Sequence, residues 1–250
     1  MRGAHAPSDL FWMLGGVFMK TIISDSHGVA ENAAQIIKAL LDEKPDAALA
    51  FSAGRSMSGL FALLRDMGAR GELSLDDARV FAVTQLIGTP EALSGRGQLE
   101  RELLNPLGVK KENRFFPTAE NFDKYDDLIA AVGGLDLAVI GLGQNGHIGY
   151  NEPGTPYASL TRIQLLAPQT RRALADIFGG EEKTPEKAAT MGIKTLVSAR
   201  NVAVVALGQA KAEAVFQMLY ARDDSVVPAA FMQLPLNVSV LVDEEASAKL

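Results

Sequence analysis

The chain has no cysteine, which removes disulfides, iron–sulfur clusters and thiolate nucleophiles together. Histidine is nearly as scarce: His5, His27 and His147 are the only three, too few for a His-rich metal site. Aromatic residues make up 6% of the sequence, which leaves little material for a base-stacking surface. Acids outnumber bases by 30 to 24, and the net charge of −6 argues against a nucleic-acid partner. No apolar run is long enough to cross a bilayer, so no membrane association is expected. The strongest, LFWMLGGVFM at Leu10–Met19, falls well short of the roughly 20 residues a span requires. It faintly resembles a signal-peptide core, but Lys20 and Thr21 follow where a small-residue cleavage site would stand. Residues 1–18 are therefore set apart as a disordered leader or non-native extension, and residues 19–250 are taken as the folded domain.

What is present is a chain of 250 residues, 48% hydrophobic and 22% charged. A chain of this length buries roughly 70–75% of its unfolded surface without staples, and the absent cysteines fit a cytoplasmic protein. From Met19 onward, short apolar runs alternate with amphipathic stretches. Strands are expected at Thr21–Ser24, Ala47–Phe51, Arg79–Val83, Leu135–Ile140, Val202–Ala206 and Val238–Val242. Helices are expected at Gly28–Asp42, Ser58–Met67, Gln98–Leu104, Ala119–Val132, Gln169–Phe178, Pro185–Ala189 and Ala210–Tyr220. The unbroken apolar strands read as buried on both faces. With the alternation, they predict an α/β fold: a single-domain, doubly wound, mostly parallel sheet with helices on both faces. Ligands of such sheets bind beyond the carboxyl ends of the strands, which narrows the search to the segments after Phe51, Val83, Ile140 and Ala206.

Three of these segments could carry chemistry. Ser52–Ser58 (SAGRSMS) joins a strand to a helix; its small residues permit a tight turn, and the helix start offers unpaired amides to an anion, with Ser56, Ser58 and Arg55 as further donors. A plain turn with a Ser helix cap accounts for the same residues. Gly141, Gly143 and Gly146 satisfy G-x-G-x-x-G, but the segment runs into His147 and an Asn-Glu-Pro-Gly turn rather than a helix, so a dinucleotide cofactor is not expected. His147 can exchange a proton near neutrality, Glu152 could orient the ring, and Asn145 could hold the other ring nitrogen or a substrate. The alternative is a loop histidine bonded to backbone. One histidine with one carboxylate gives too few ligands for a metal. Lys211, at the helix start after Leu207-Gly208-Gln209-Ala210, opposes the helix dipole unless an anion lies between; a solvated lysine is the alternative. Arg162 is a further anion-ligand candidate, whereas Arg171 and Arg172 read as surface residues.

GLGQNGHIGYNEPG at Gly141–Gly154, Thr161-Arg162-Ile163, Met191-Gly192-Ile193 and LGQAKA at Leu207–Ala212 resemble, in order and spacing, the glucosamine-6-phosphate deaminase/isomerase family, which includes galactosamine-6-phosphate isomerases. The resemblance runs from about Met19 to Val242. Asn151-Glu152-Pro153 favours the amino-sugar branch over the related 6-phosphogluconolactonases. It implies conversion of a hexosamine 6-phosphate to a ketohexose 6-phosphate and ammonia, with no metal or organic cofactor and a small sugar phosphate as the partner. It further implies that His147, with Glu152 and Asn145, opens the sugar ring. Gly54, Arg55 and Ser56 match the phosphate loop, and Arg162 and Lys211 match the basic phosphate ligands. Some family members are hexamers and others monomers, so a homo-oligomer is compatible with the resemblance.

One stretch departs from the family. Its third strand ends in an Asp-Glu pair whose Asp moves the proton between C2 and C1, whereas Thr84 and Gln85 stand at those positions here. Neither a hydroxyl nor an amide acts as a carboxylate base near neutral pH, and losing such a base costs about 10²–10⁴ in rate. A second family cation aligns with Asp176. Glu91 and Asp77 are the acids considered as substitutes for the base, although nothing in the sequence places them at C2. The expectation is thus weak or altered deaminase activity; a 6-phosphogluconolactonase-like hydrolase and a non-catalytic sugar-phosphate sensor are the alternatives.

Overall fold

A computed structural model of the chain describes residues 10–14, 17–221, 227–235 and 237–250. Strand β1 (Leu10–Leu14) turns back into β2 (Val17–Ser24), followed by α1 (Ser26–Glu43), β3 (Ala48–Phe51), α2 (Ser58–Ala69), β4 (Arg79–Ala82) and the short β5 (Thr84–Leu86). Next come α3 (Gly95–Leu99), extended by a π-helical turn over Glu100–Leu104, then β6 (Arg114–Phe115), α4 (Tyr125–Ala131) and β7 (Leu137–Gly141). The last part holds β8 (Arg162–Leu165), α5 (Pro168–Phe178), β9 (Lys187–Thr190), α6 (Ile193–Val197), β10 (Asn201–Ala206), α7 (Ala212–Tyr220) and β11 (Asn237–Asp243).

Among the described residues the main sheet has eight strands in the order β1-β2-β11-β10-β7-β3-β4-β6, parallel throughout except for β1. Successive residues of its central strands point into two separate cores. Leu49, Phe51, Val139 and Val205 pack under α1, α2 and α3, while Ala50, Ile140, Val204 and Val240 pack under α4, α6 and α7. This two-sided burial is why these strands read as continuous apolar runs rather than alternating ones. Helix α1 begins where Asp25 accepts from the Gly28 amide at 2.7 Å, and its buried stripe Val29, Ala33, Ile37 and Leu41 has the helical spacing seen in the sequence.

The winding reverses between β3 and β7. Chain leaving β3 proceeds through α2 to β4 and β6, whereas chain leaving β7 proceeds to β10 and β11 on the other side. The loops after these adjacent strands therefore part company, and a crevice opens at the carboxyl end of the sheet.

Several expectations need correction. Residues 10–14 and 17–18, set apart from the fold in the sequence, pair as an antiparallel hairpin at the sheet edge, with Leu10 opposite Thr21; residues 1–9 and 15–16 lie outside the described residues. Pro185–Ala189 is not a helix. β9 is flanked by β5 and β8 in a three-stranded antiparallel sheet, and pairing on both edges overrides the local helix preference of its alanines. Helix α4 starts only at Tyr125, because Asn121 accepts from the Thr118 amide at 2.7 Å and holds the preceding segment as a turn.

Candidate active site

The crevice holds a cavity of about 510 Å³, and all four of the strand-end segments singled out in the sequence contribute to its wall. Ser52–Ser56 follow β3, Thr84 follows β4, Gly141–Asn145 and His147 follow β7, and Leu207 and Lys211 follow β10. Helix α5 covers one side with Gln169, Thr170 and Leu174. Among the described residues, none that lines the cavity is Asp or Glu, while Arg55 and Lys211 both line it. The cavity wall thus carries positive charge in a protein whose net charge is −6.

His147 is held by packing as well as by polar contacts. The Gly143 amide donates to the His147 carbonyl at 2.8 Å, closing a tight loop. A β-carbon at Gly143 would lie 2.4–2.5 Å from three atoms of the imidazole, so only glycine lets the ring rest there. The His147 amide donates to Asn145 Oδ1 at 3.2 Å, and Asn145 Nδ2 donates to Glu152 Oε2 at 2.9 Å. Glu152 Oε2 lies 3.6 Å from His147 Nδ1, an electrostatic contact rather than a hydrogen bond, and Thr170 Oγ1 is 3.5 Å from the same nitrogen. Glu152 Oε1 accepts from the Ala167 amide at 3.2 Å, which ties the start of α5 to this unit.

The Glu152 side chain is only 8% exposed, and burial alone would raise its carboxyl. His147, Thr170 and Asn145 outweigh that penalty and hold it at about 2. A carboxylate beside Nδ1 favours the tautomer protonated there and leaves Nε2 to exchange a proton with a ligand. Tyr150 also lines the cavity. Burial and the neighbouring Glu152 charge push its phenol up, so the hydroxyl keeps its proton near neutral pH.

Lys211 donates from Nζ to the Leu142 carbonyl at 2.6 Å, which draws the β10–α7 turn against the β7 loop. Its ammonium pKa is lowered, first by burial and then by Arg55, a neighbouring cation of the wall. Ser56 sits in the 3-10 turn (Arg55–Met57) that leads into α2, where the first amides have no partner within the helix. Gly54 lines the cavity with φ at +123°, a conformation open to glycine, but its N–H is taken by Gln98 Oε1 at 2.8 Å.

Arg162 does not join the cavity. Its guanidinium donates to Asn151 Oδ1 (2.8 Å), Thr155 Oγ1 (3.3 Å) and Gln164 Oε1 (2.8 Å), while Asn151, fully buried, donates to the carbonyls of Ile148 and Met191. Sequence cannot tell an arginine aimed at a ligand from one bracing the Asn-Glu-Pro turn, and here it braces the turn. Thr84 reaches the wall, but Gln85 does not: its Oε1 accepts from the Arg96 amide at 3.1 Å. Neither acid considered as a substitute is in place. Asp77 pairs with Lys110 at 2.8 Å, before β4 begins, and Glu91 is exposed outside the cavity wall. Asp176 is exposed on α5 and is likewise absent from the wall. Among the described residues no three His, Asp or Glu side chains gather as a metal site would require.

Sequence reasoning missed Ser52, Tyr150, Gln169 and Thr170. The Ser52 hydroxyl is buried at the cavity with no hydrogen-bond partner among the described residues, an unspent donor beside the turn after β3. Its place in the Ser52–Ser58 loop was a usable signal. The two α5 residues gave none, because only the packing of α5 over the crevice brings them to it.

Comparison with known proteins agrees with this architecture. Residues 25–240 match the family described as glucosamine-6-phosphate isomerases/6-phosphogluconolactonase. The glucosamine-6-phosphate deaminase of Colwellia psychrerythraea is 36% identical over 242 residues, covering 93% of this chain and 90% of that protein. The deaminase of Hahella chejuensis is 36% identical over 241 residues, covering 93% and 92%. Among solved structures, a monomeric glucosamine-6-phosphate deaminase superposes with a TM-score of 0.88 at 29% identity, covering 93% of this chain and 99% of that one. The 6-phosphogluconolactonase of Trypanosoma brucei, at 17% identity and a TM-score of 0.76, shares the fold. No helix among the described residues is long and apolar enough to cross a membrane. With one family matched along nearly its whole length and a cavity at that fold's switch point, the chain belongs to the glucosamine-6-phosphate isomerase/6-phosphogluconolactonase family.

Proposed function

We propose that the protein is a cofactor-independent isomerase/deaminase of hexosamine 6-phosphates, converting the amino sugar phosphate and water to a ketohexose 6-phosphate and ammonia, with slow turnover. The observation that carries this reading is His147, which lines a cavity shared with Lys211, Arg55 and the Ser52–Ser56 turn and has the buried Glu152 behind its Nδ1. The phosphate sits at the turn amides, the Ser56 hydroxyl and the two cations, which fixes one end of the sugar. His147 takes the proton of the anomeric hydroxyl and returns one to the ring oxygen, opening the ring; Glu152 supports the imidazolium formed between these steps and Asn145 keeps Glu152 in place.

Moving the C2 proton to C1 needs a base, and Thr84 is the residue of β5 that reaches the cavity. A hydroxyl there leaves that step slow by roughly 10²–10⁴ relative to a carboxylate. That no described residue of the cavity wall is a carboxylate also favours a second reading, lactone hydrolysis, in which His147 activates water and no C2 base is required. A sugar-phosphate sensor would use the anion end alone.

Ammonia release from glucosamine and galactosamine 6-phosphates, measured on the wild type beside Thr84→Asp, separates these readings. Slow release by the wild type and a gain of at least tenfold in Thr84→Asp is the expected result. Release as fast in the wild type as in the variant would refute the role given to position 84. Release by neither, with hydrolysis of 6-phosphogluconolactone, would replace the deaminase by the lactonase, and calorimetric binding without any turnover would leave the sensor.

A further inference from the structure

We propose that Gln98 is the positioning residue of the anion-binding turn, locking Gly54 through both of its backbone polar groups; this rests on reading the cavity as a sugar-phosphate site. Gln98 lies in α3, which contributes none of the described lining residues, and its side chain reaches the turn after β3. Its Oε1 accepts from the Gly54 amide at 2.8 Å and its Nε2 donates to the Gly54 carbonyl at 3.3 Å. The same Nε2 faces Ser58 Oγ at 3.3 Å and Glu102 Oε2 at 3.1 Å. The direction of the carboxamide is thereby fixed, since an amide N–H only donates and a carboxylate only accepts.

Gly54 is where such a clasp matters. With φ at +123° it has more backbone freedom than any other residue type would have there, and the turn's own backbone bonds are the Met57 amide to the Gly54 carbonyl at 3.0 Å and the Ser58 amide to the Arg55 carbonyl. An unclasped turn would sample several conformations, and binding would bear the cost of ordering it. The clasp also decides which donors face the anion. With the Gly54 N–H engaged, they are the Arg55 and Ser56 amides and the Ser52 and Ser56 hydroxyls.

The helix carrying Gln98 is itself tied to β5. Ser94 caps α3 by accepting from the Gly97 amide at 2.9 Å, and the Arg96 amide donates to Gln85 Oε1 at 3.1 Å. Gln85, which in the sequence registers only as the loss of an acid, thus holds α3, and α3 holds the turn. The residue after Thr84 and the phosphate end of the cavity form one hydrogen-bonded chain.

The test uses the full chain with inorganic phosphate and glucosamine 6-phosphate as calorimetric probes. Gln98→Met, similar in volume and without polar atoms, is expected to weaken both by roughly tenfold. Amide exchange in residues 52–58 should accelerate while that of α1 and β10 stays unchanged, a local signature that general destabilisation would not give. Gln98→Glu serves if the first variant folds poorly; it removes the donor to the Gly54 carbonyl, places a negative charge beside the anion, and should weaken phosphate at least as much. Unchanged phosphate affinity in a folded variant, with Lys211→Ala weakened, would overturn the role of Gln98 and leave the sugar-phosphate reading intact. A wild type that binds neither probe would overturn both.

Discussion

Replacing Glu152 by Gln removes one charge at constant volume and isolates the most perturbed carboxylate of the site. The folded protein holds this group at about 2, against an ordinary value of 4.5. That difference corresponds to roughly 2–4 kcal/mol favouring the folded state when the group is ionised. The sign follows from proton binding. Between pH 4.5 and 2 the unfolded chain holds the proton and the folded chain does not, so acidification favours unfolding in that window. The contribution is fully present above about pH 5 and is lost as pH falls toward 2. Glutamine cannot titrate, and it presents an N–H where Glu152 accepts from either the Ala167 amide or Asn145. Urea unfolding of wild type and Glu152→Gln across pH 2–7 is the assay. The stability difference should be small at pH 2 and grow to a few kcal/mol by pH 5. Because the other carboxylates titrate in both proteins, they cancel in the difference. A difference independent of pH across this range would refute the ionised, strongly held Glu152 described above.

Gly143→Ala places a β-carbon 2.4–2.5 Å from the imidazole and should displace His147, costing about 10²-fold or more in any His-dependent turnover, while circular dichroism reports a retained fold. Lys211→Ala should weaken phosphate-bearing ligands by about 10–100-fold in calorimetry, since one of the two cations among the described lining residues is lost; an unchanged affinity would remove it from the site. Arg162→Ala should lower the thermal midpoint by several degrees, because Asn151, Thr155 and Gln164 lose their partner, yet leave inorganic phosphate affinity within about twofold.

Much of this protein follows from local pattern. The alternation of apolar runs with amphipathic stretches fixes the α/β class, because strands buried on both faces admit few polar residues and helices need one apolar stripe. The strand ends mark where loops can hold a ligand, and all four marked segments meet at one cavity. Composition alone removes thiol chemistry, since the chain has no cysteine.

Tertiary structure decided what sequence spacing does not encode. Arg162 and Lys211 are both plausible cations in a string of letters. One is spent on the buried Asn151 and its neighbours, and the other faces the crevice, because their strands belong to different sheets. Pro185–Ala189 carries alanines that favour a helix, but two strands distant in sequence supply hydrogen bonds on both edges and make it a strand. Gln98 meets Gly54 across 44 residues only because the winding of the sheet sets α3 beside the turn after β3. Local periodicity thus settles which segments are strands and helices where their own hydrogen bonds and buried stripes suffice. Contacts between distant segments settle the rest, since the partner that makes them favourable is supplied by the fold.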